Sequence, residues 1–246
     1  MKLLVCISKA PDTTTKISFK DNNTKFNEDN VQYIVNPYDE WYALVRALEL
    51  KETLGGTVTI INVGLAENDA VIRKALAIGA DDAVRIDADP IDAYFVAEQI
   101  AAYAGSENFD MILAGKETIN YNGSSLGAMI AELLQLPFIS LATKLELNGN
   151  NATIEHDIDG GTELVECATP FVLSASKGMA EARIPNMRGI MAARTKTLNV
   201  LAAKNVTALT TVKSYGLTAG RGDCRYIDAD KAEELIELLH SQAKVI

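Results

Sequence analysis

Four apolar runs, each followed by a stretch with helical spacing, fill the first 134 residues and leave few choices of fold. The runs are Lys2 to Ser8, Thr57 to Val63, Ala83 to Ile86 and Asp110 to Ala114, the last ending in Gly115. Near-continuous apolar strands are those covered on both faces. After the first run, Asn36-Pro37-Tyr38-Asp39 carries helix-start residues, and Trp41, Leu44, Val45 and Leu48 recur at helical spacing until Gly55-Gly56. The spacing predicts further helices over Asp69 to Ile78, from Pro90 with Ala93, Val96, Ala97 and Ile100 inward, and over Ser124 to Leu134 with Leu126, Met129, Ile130 and Leu133 inward. Strict β-helix alternation means a mostly parallel sheet with helices on both faces and right-handed crossovers, a Rossmann-like α/β fold.

The pattern then changes. Leu145 to Asp157 reads as two short strands around Asn148-Gly149-Asn150, and Gly160-Gly161 turns into strands at Leu164 to Ala168 and Phe171 to Ala175. No helix separates these strands, so this extension is expected to be antiparallel. The polar stretch Asp12 to Asn30, with the turn signal Asp21-Asn22-Asn23, is a hairpin or a long loop. Lys177 to Val200 has neither period, apart from an edge strand at Thr195 to Val200. Asp228 to His240 is an amphipathic helix with Ala232, Leu235, Ile236 and Leu239 on one face. We divide the chain into a nucleotide-binding body, 1–203, and a linker with a C-terminal helical arm, 204–246.

A formal net charge of −10 argues against nucleic acid as the main partner, because phosphate binding needs a basic face. The opening apolar run is shorter than a signal-peptide core and no small-residue cleavage site follows it, so a buried strand is expected. No stretch reaches the length of a membrane span, so no direct membrane insertion is expected. Three scattered cysteines suggest neither disulfides nor a metal site and point to a reducing compartment. His156 and His240 read as surface residues, and Asp81-Asp82 as a solvated turn.

In an open α/β sheet, ligands sit beyond the carboxyl ends of the strands. The segment there with most chemistry is Gly115 to Gly127, GKETINYNGSSLG. Gly123 permits close backbone approach, and Ser124 and Ser125 stand at a helix start, where free N–H groups and the helix dipole favour an anion. An ordinary capped helix behind an αβ loop fits the same residues. Neither phosphate-loop nor dinucleotide glycine fingerprints occur, and no nucleophile accompanies either histidine. A nucleotide-shaped site without a catalytic group suits a carrier better than an enzyme. The second unusual segment carries Lys177, Arg183, Arg188, Arg194 and Lys196 against Glu181, interleaved with Ile184, Met187, Ile190 and Met191. It reads either as a docking surface for an acidic partner or as a loop leading to an edge strand.

At these segments the chain resembles the electron transfer flavoprotein β-subunits. The resemblance rests on LLVCISKAPD at the start, VNPYD at Val35 to Asp39, RKALAIGAD at Arg73 to Asp81, LAGKETI at Leu113 to Ile119, DIDGGTE at Asp157 to Glu163 and IPNMRGIM at Ile184 to Met191. It implies a heterodimer with an α-subunit that holds most of the FAD. That FAD carries electrons from dehydrogenases, often acyl-CoA dehydrogenases of fatty acid oxidation, to a membrane quinone reductase. A structural AMP is implied in the β-subunit, with a second FAD in its place in bifurcating relatives. The family's AMP contacts fall here on Cys6, Asn36, Pro37, Tyr38, Asp39 and Val63. They continue over Asn120, Tyr121, Asn122, Gly123, Ser124, Ser125, Leu126, Gly127, Ala128, Met129, Ile130 and Ala131. The family's docking loop falls on Ala182 to Met191, including Arg183, Ile184, Pro185, Asn186, Met187 and Arg188, with Ile184 where relatives carry a leucine anchor. The loop departs from many relatives, with Ser125 at a glutamine position. The implied location is cytoplasmic in a bacterium or the mitochondrial matrix in a eukaryote. The alternative reading is a stand-alone adenine-nucleotide-binding stress or sensor module.

Overall fold

The computed structural model describes residues 1–119, 121–220 and 222–246. The chain forms two compact units, Met1–Lys16 with Asn27–Lys213, and Ile17–Phe26 with Ser214–Ile246. The larger unit opens with β1 (Lys2–Cys6) and the short β2 (Ala10–Pro11). A hairpin of β3 (Phe19–Lys20) and β4 (Lys25–Phe26) belongs to the smaller unit, and β5 (Tyr33–Ile34) then pairs with β2. Next come α1 (Asp39–Leu54), β6 (Thr57–Val63), α2 (Asp69–Ile78), β7 (Asp82–Asp87), α3 (Ala93–Ala104), β8 (Met111–Gly115) and α4 (Leu126–Leu134). Four strands follow without a helix: β9 (Phe138–Asn148), β10 (Asn151–Ile158), β11 (Gly161–Ala168) and β12 (Phe171–Ala175). The larger unit closes with α5 (Met187–Ala193) and β13 (Leu198–Ala202), and the smaller one with α6 (Ala232–Leu238).

Among the described residues nine strands make one sheet, in the order β11-β10-β9-β12-β8-β1-β6-β7-β13. The run from β12 to β13 is parallel throughout. β1 shows why its sequence is apolar from Leu3 to Cys6. Leu3 and Val5 enter the core beneath α1 and α2, while Leu4 and Cys6 enter the core beneath α3 and α4. Each such side chain contributes about 1.5–3 kcal/mol on burial, so a polar substitution on either face would be costly.

Several expectations need correction. β12 is not part of the antiparallel extension; it returns to the sheet centre and runs parallel to both β8 and β9. The extension is β9-β10-β11, and β9 starts at Phe138, well before the hairpin signal. Leu133 and Ala93 face solvent; the buried positions of α4 are Gly127, Ile130 and Ala131, and those of α3 include Phe95 and Gln99. Asp81 is no solvated turn, because its carboxylate accepts from the Val58 amide (2.8 Å) and pairs with Lys51. His156 is largely covered, with Nε2 3.2 Å from Glu163. The helix α5 has no forerunner in the sequence reading. Its start is capped by Asn186, which accepts from the Gly189 amide at 2.8 Å, and a Cβ at Gly189 would lie 2.3 Å from the Ala77 carbonyl oxygen of α2.

In the smaller unit, Asp21, Asn22 and Asn23 all adopt left-handed backbone and close the β3-β4 turn. Tyr215 stacks on Phe19 at 5.0 Å and donates its amide to Asn23. Leu235 and Ile236 of α6 are exposed.

One carboxylate organises the chain beyond β13. Asp92 caps α3 by accepting from the Phe95 amide (2.7 Å), and its other oxygen accepts from the amides of Leu209 and Thr210 (both 2.7 Å). Gln99 holds the same segment by two hydrogen bonds to the Lys204 backbone, donating to its carbonyl and accepting from its amide. Replacing Asp92 by Ala should destabilise the fold by about 1–2 kcal/mol, as for other lost N-caps, and should speed hydrogen exchange at Leu209 and Thr210. Unchanged exchange at those two amides would show that Asp92 does not hold the segment.

Candidate functional site

The strand order reverses beside β1, with β6 on one side and β8 on the other. At such a switch point the two following loops separate and leave a crevice at the carboxyl ends. The expected site residues gather on this rim. Cys6 ends β1, Val63 ends β6, Gly115 ends β8, and Asn36 to Asp39 lead into α1. Tyr38 is exposed, whereas Asn36 and Asp39 are buried. The Cys6 thiol is buried, and burial together with Glu40 pushes its pKa up, which favours the neutral thiol.

Asn36 ties two of these segments together. Its Nδ2 donates to the Glu117 carbonyl (2.9 Å), and its Oδ1 accepts from the Ile119 amide (3.3 Å). Both ends of the amide are engaged and the residue has no exposed surface, so it acts as a strut for the loop. Lys116 continues the strut by donating its amide to Ala175 of β12. Beyond it the chain turns through left-handed backbone at Asn122 and Ser124. Tyr121 to Ser124 are exposed, and Asn120 lies outside the described residues. Ser125 occupies the N-cap of α4 but makes no side-chain cap bond, and the Ser124 hydroxyl donates instead to Glu117 (3.0 Å). The start of α4 is thus not the capped helix that the sequence also allowed. Among the described residues no cap bond from Ser125 meets its first amides, and an uncapped helix start suits an anion. Glu117, which accepts from Ser124, is itself paired with Lys116 at 3.4 Å. Along α4, Leu126 and Met129 are half-buried and Ala128 is exposed, while Ile130 and Ala131 point into the core.

The two glycines of this loop have different duties. Among the described residues a Cβ at Gly123 would meet only the Ser125 hydroxyl, at 3.8 Å, whereas one at Gly127 would lie 2.8 Å from the Phe138 ring. Gly127 is required for α4 to sit on β9.

The second candidate segment stands on α1 and α2. Ile184 is 85% exposed and Met187 73% exposed, so Ile184 does not cap the subunit's own core. Pro185 and Asn186 lead into α5, and Arg188 is exposed. Arg183 is engaged in a two-pronged pair with Glu52 (2.6 and 3.1 Å). Lys196 turns inward and donates to the carbonyls of Leu76 and Ala80 at the end of α2, and burial pushes its pKa down. The solvent-facing cations are Lys177, Arg188 and Arg194.

Sequence reasoning passed over Glu40. Acids at a helix start read as partners of the helix dipole, and nothing in the sequence marks Glu40 as buried. Its carboxyl accepts from the Ser8 amide at 2.9 Å. Burial pushes its pKa to about 7, helped by Asp39 and opposed by the bonds from Ser8. Asp39 is pushed up too, by burial, with Lys116 and the Glu117 backbone opposing. A raised carboxyl pKa stabilises the fold below the unfolded value and loses that contribution as pH climbs through the folded one. Glu40→Gln keeps an acceptor for Ser8 and removes the titration. Between pH 5 and pH 8 the variant should gain about 2–4 kcal/mol relative to the parent, read by denaturant unfolding at both pH values. A stability difference that does not change with pH would refute the shift.

Comparisons with known proteins agree with this architecture. The family model for the electron transfer flavoprotein domain matches residues 23–206. The electron transfer flavoprotein subunit beta of Bacillus subtilis (strain 168) is 35% identical, over 100% of this chain and 100% of its own length. That of Syntrophomonas wolfei is 32% identical, over 100% of this chain and 98% of its own. The human protein of the same name is 31% identical over 82% of this chain and 81% of its own. With a family model that matches residues 23–206 and full-length similarity to the Bacillus subtilis relative, the chain belongs to the electron transfer flavoprotein β-subunit family.

Proposed function

We propose that the chain is the nucleotide-holding and partner-docking subunit of a two-chain electron carrier. An α-subunit holds most of the FAD, and this chain binds a structural AMP. Electrons arrive from dehydrogenases, with acyl-CoA dehydrogenases the leading class, and leave to a membrane quinone reductase. FAD supplies the redox chemistry, and the residues of this chain supply binding and orientation. The observation that carries the AMP assignment is the start of α4, where Ser125 makes no side-chain cap bond and, among the described residues, a Cβ at Gly123 would meet only the Ser125 hydroxyl. The phosphate would meet the backbone of Gly123 to Ser125, and the adenosine would lie toward Asn36 to Asp39 and Val63. The exposed Leu235 and Ile236 are suited to packing on the α-subunit, within an arm of residues 204–246. Among the described residues no helix is long and apolar enough to cross a membrane, so contact with the quinone reductase would be by docking.

Gly123→Val should cut AMP content severalfold while unfolding stability stays within about 0.5 kcal/mol, the usual range for surface changes. Gly127→Val should lower both, because it also displaces α4 from Phe138. Mass analysis of the denatured heterodimer reads the nucleotide. Two FAD per heterodimer and no AMP would overturn the AMP assignment in favour of a bifurcating carrier.

Ile184 anchors the dehydrogenase in this reading, since it is exposed, apolar and followed by a stiffening proline. Ile184→Ala should weaken binding by about 2 kcal/mol, roughly 30-fold in affinity, with melting temperature and flavin content unchanged. An unaltered rate of reduction by the dehydrogenase at low concentration would rule out the anchor.

A further inference from the structure

We infer that Trp41 and Glu52 are positioning residues that hold Arg183 from both ends and so present Ile184 to a docking partner. The inference rests on the docking reading above and assigns Arg183 a different task from partner contact. Trp41, in the first turn of α1, donates its indole N–H to the Arg183 carbonyl at 3.3 Å. Glu52, in the last turn of α1, takes both guanidinium nitrogens of Arg183 at 2.6 and 3.1 Å. Arg183 therefore lies along α1, fixed at backbone and side chain, one residue before Ile184. The far end of the segment is fixed as well. Arg73 of α2 donates to the carbonyls of Ala193 and Lys196, and Gly189 packs against the Ala77 carbonyl. Between these two anchorages the apolar side chains of Ile184, Met187 and Met191 stay exposed.

A free loop would have to be ordered at each encounter, and that cost is subtracted from affinity. Holding Ile184 in place beforehand removes part of it. Half-exposed ion pairs contribute little, typically 0–1 kcal/mol, so the effect is capped at about fivefold in affinity. Two-pronged geometry and the second bond from Trp41 place Arg183 toward the upper part of that range. A pair that merely decorates the surface would leave both loop order and partner affinity unmoved.

The test uses the complete flavin-loaded heterodimer, reduced by a purified acyl-CoA dehydrogenase with its acyl-CoA. Glu52→Gln and Trp41→Phe should each speed hydrogen exchange across 182–188. Each should also raise KM for the heterodimer about two- to fivefold with kcat unchanged. The double charge swap, Glu52→Arg with Arg183→Glu, should return KM to within about twofold of the parent, because the pair is rebuilt with opposite polarity. Unchanged exchange in both single variants overturns the positioning role. So does an unchanged KM in Glu52→Gln when Ile184→Ala, measured in parallel, raises it. If Ile184→Ala also leaves KM unchanged, the docking reading itself fails and the inference falls with it.

Discussion

At Gly115 the end of β8 runs against the first turn of α1 with no room for a side chain. A Cβ there would lie 2.7 Å from the Glu40 amide nitrogen. Only glycine permits that approach, and much of the rim depends on it. With α1 held this low, Glu40 reaches the Ser8 amide just beyond β1 and Asn36 reaches across to the backbone of Glu117 and Ile119. The loops that follow β1 and β8 are thereby fixed to one helix. The arrangement of these loops at the sheet's switch point follows from this packing. A nucleotide bound there would lie on backbone that is already ordered, which lowers the entropy lost on binding.

The parallel half of the fold was legible because its strands and helices carry their own periods. In β1 every side chain from Leu3 to Cys6 enters one of two cores, so continuous apolarity was an unambiguous signal. The misreadings occurred where tertiary contacts decide. β12 is a five-residue apolar strand, and its sequence is the same whether it ends a meander or crosses back between β8 and β9. In α5, Gly189 sits mid-helix, which sequence rules count against a helix; the close contact with Ala77 and the Asn186 cap outweigh that cost. Asp81 looked like solvent-facing charge because nothing local reveals that the Val58 amide and Lys51 converge on it.

For the candidate site, a glycine loop between strand and helix pointed to the rim, and the basic stretch pointed to the segment proposed for docking. What sequence could not separate was charge offered to a partner from charge used within the fold. Arg183 and Lys196 belong to the second kind, one laid along α1 and the other closing the end of α2. The surface they leave is more apolar and less cationic than the sequence suggests, so affinity there would come mainly from burying Ile184, Met187 and Met191, with Lys177, Arg188 and Arg194 aiding encounter.

The chain contains one tryptophan, and its indole N–H is bonded to the carbonyl that immediately precedes Ile184. Indole emission responds to the loss or gain of such a bond and to the polarity around the ring. Trp41 is thus an intrinsic optical label placed beside the docking segment. In the isolated chain its emission maximum and quenching by iodide would report whether the segment is seated or released, with no dye attached and no flavin required.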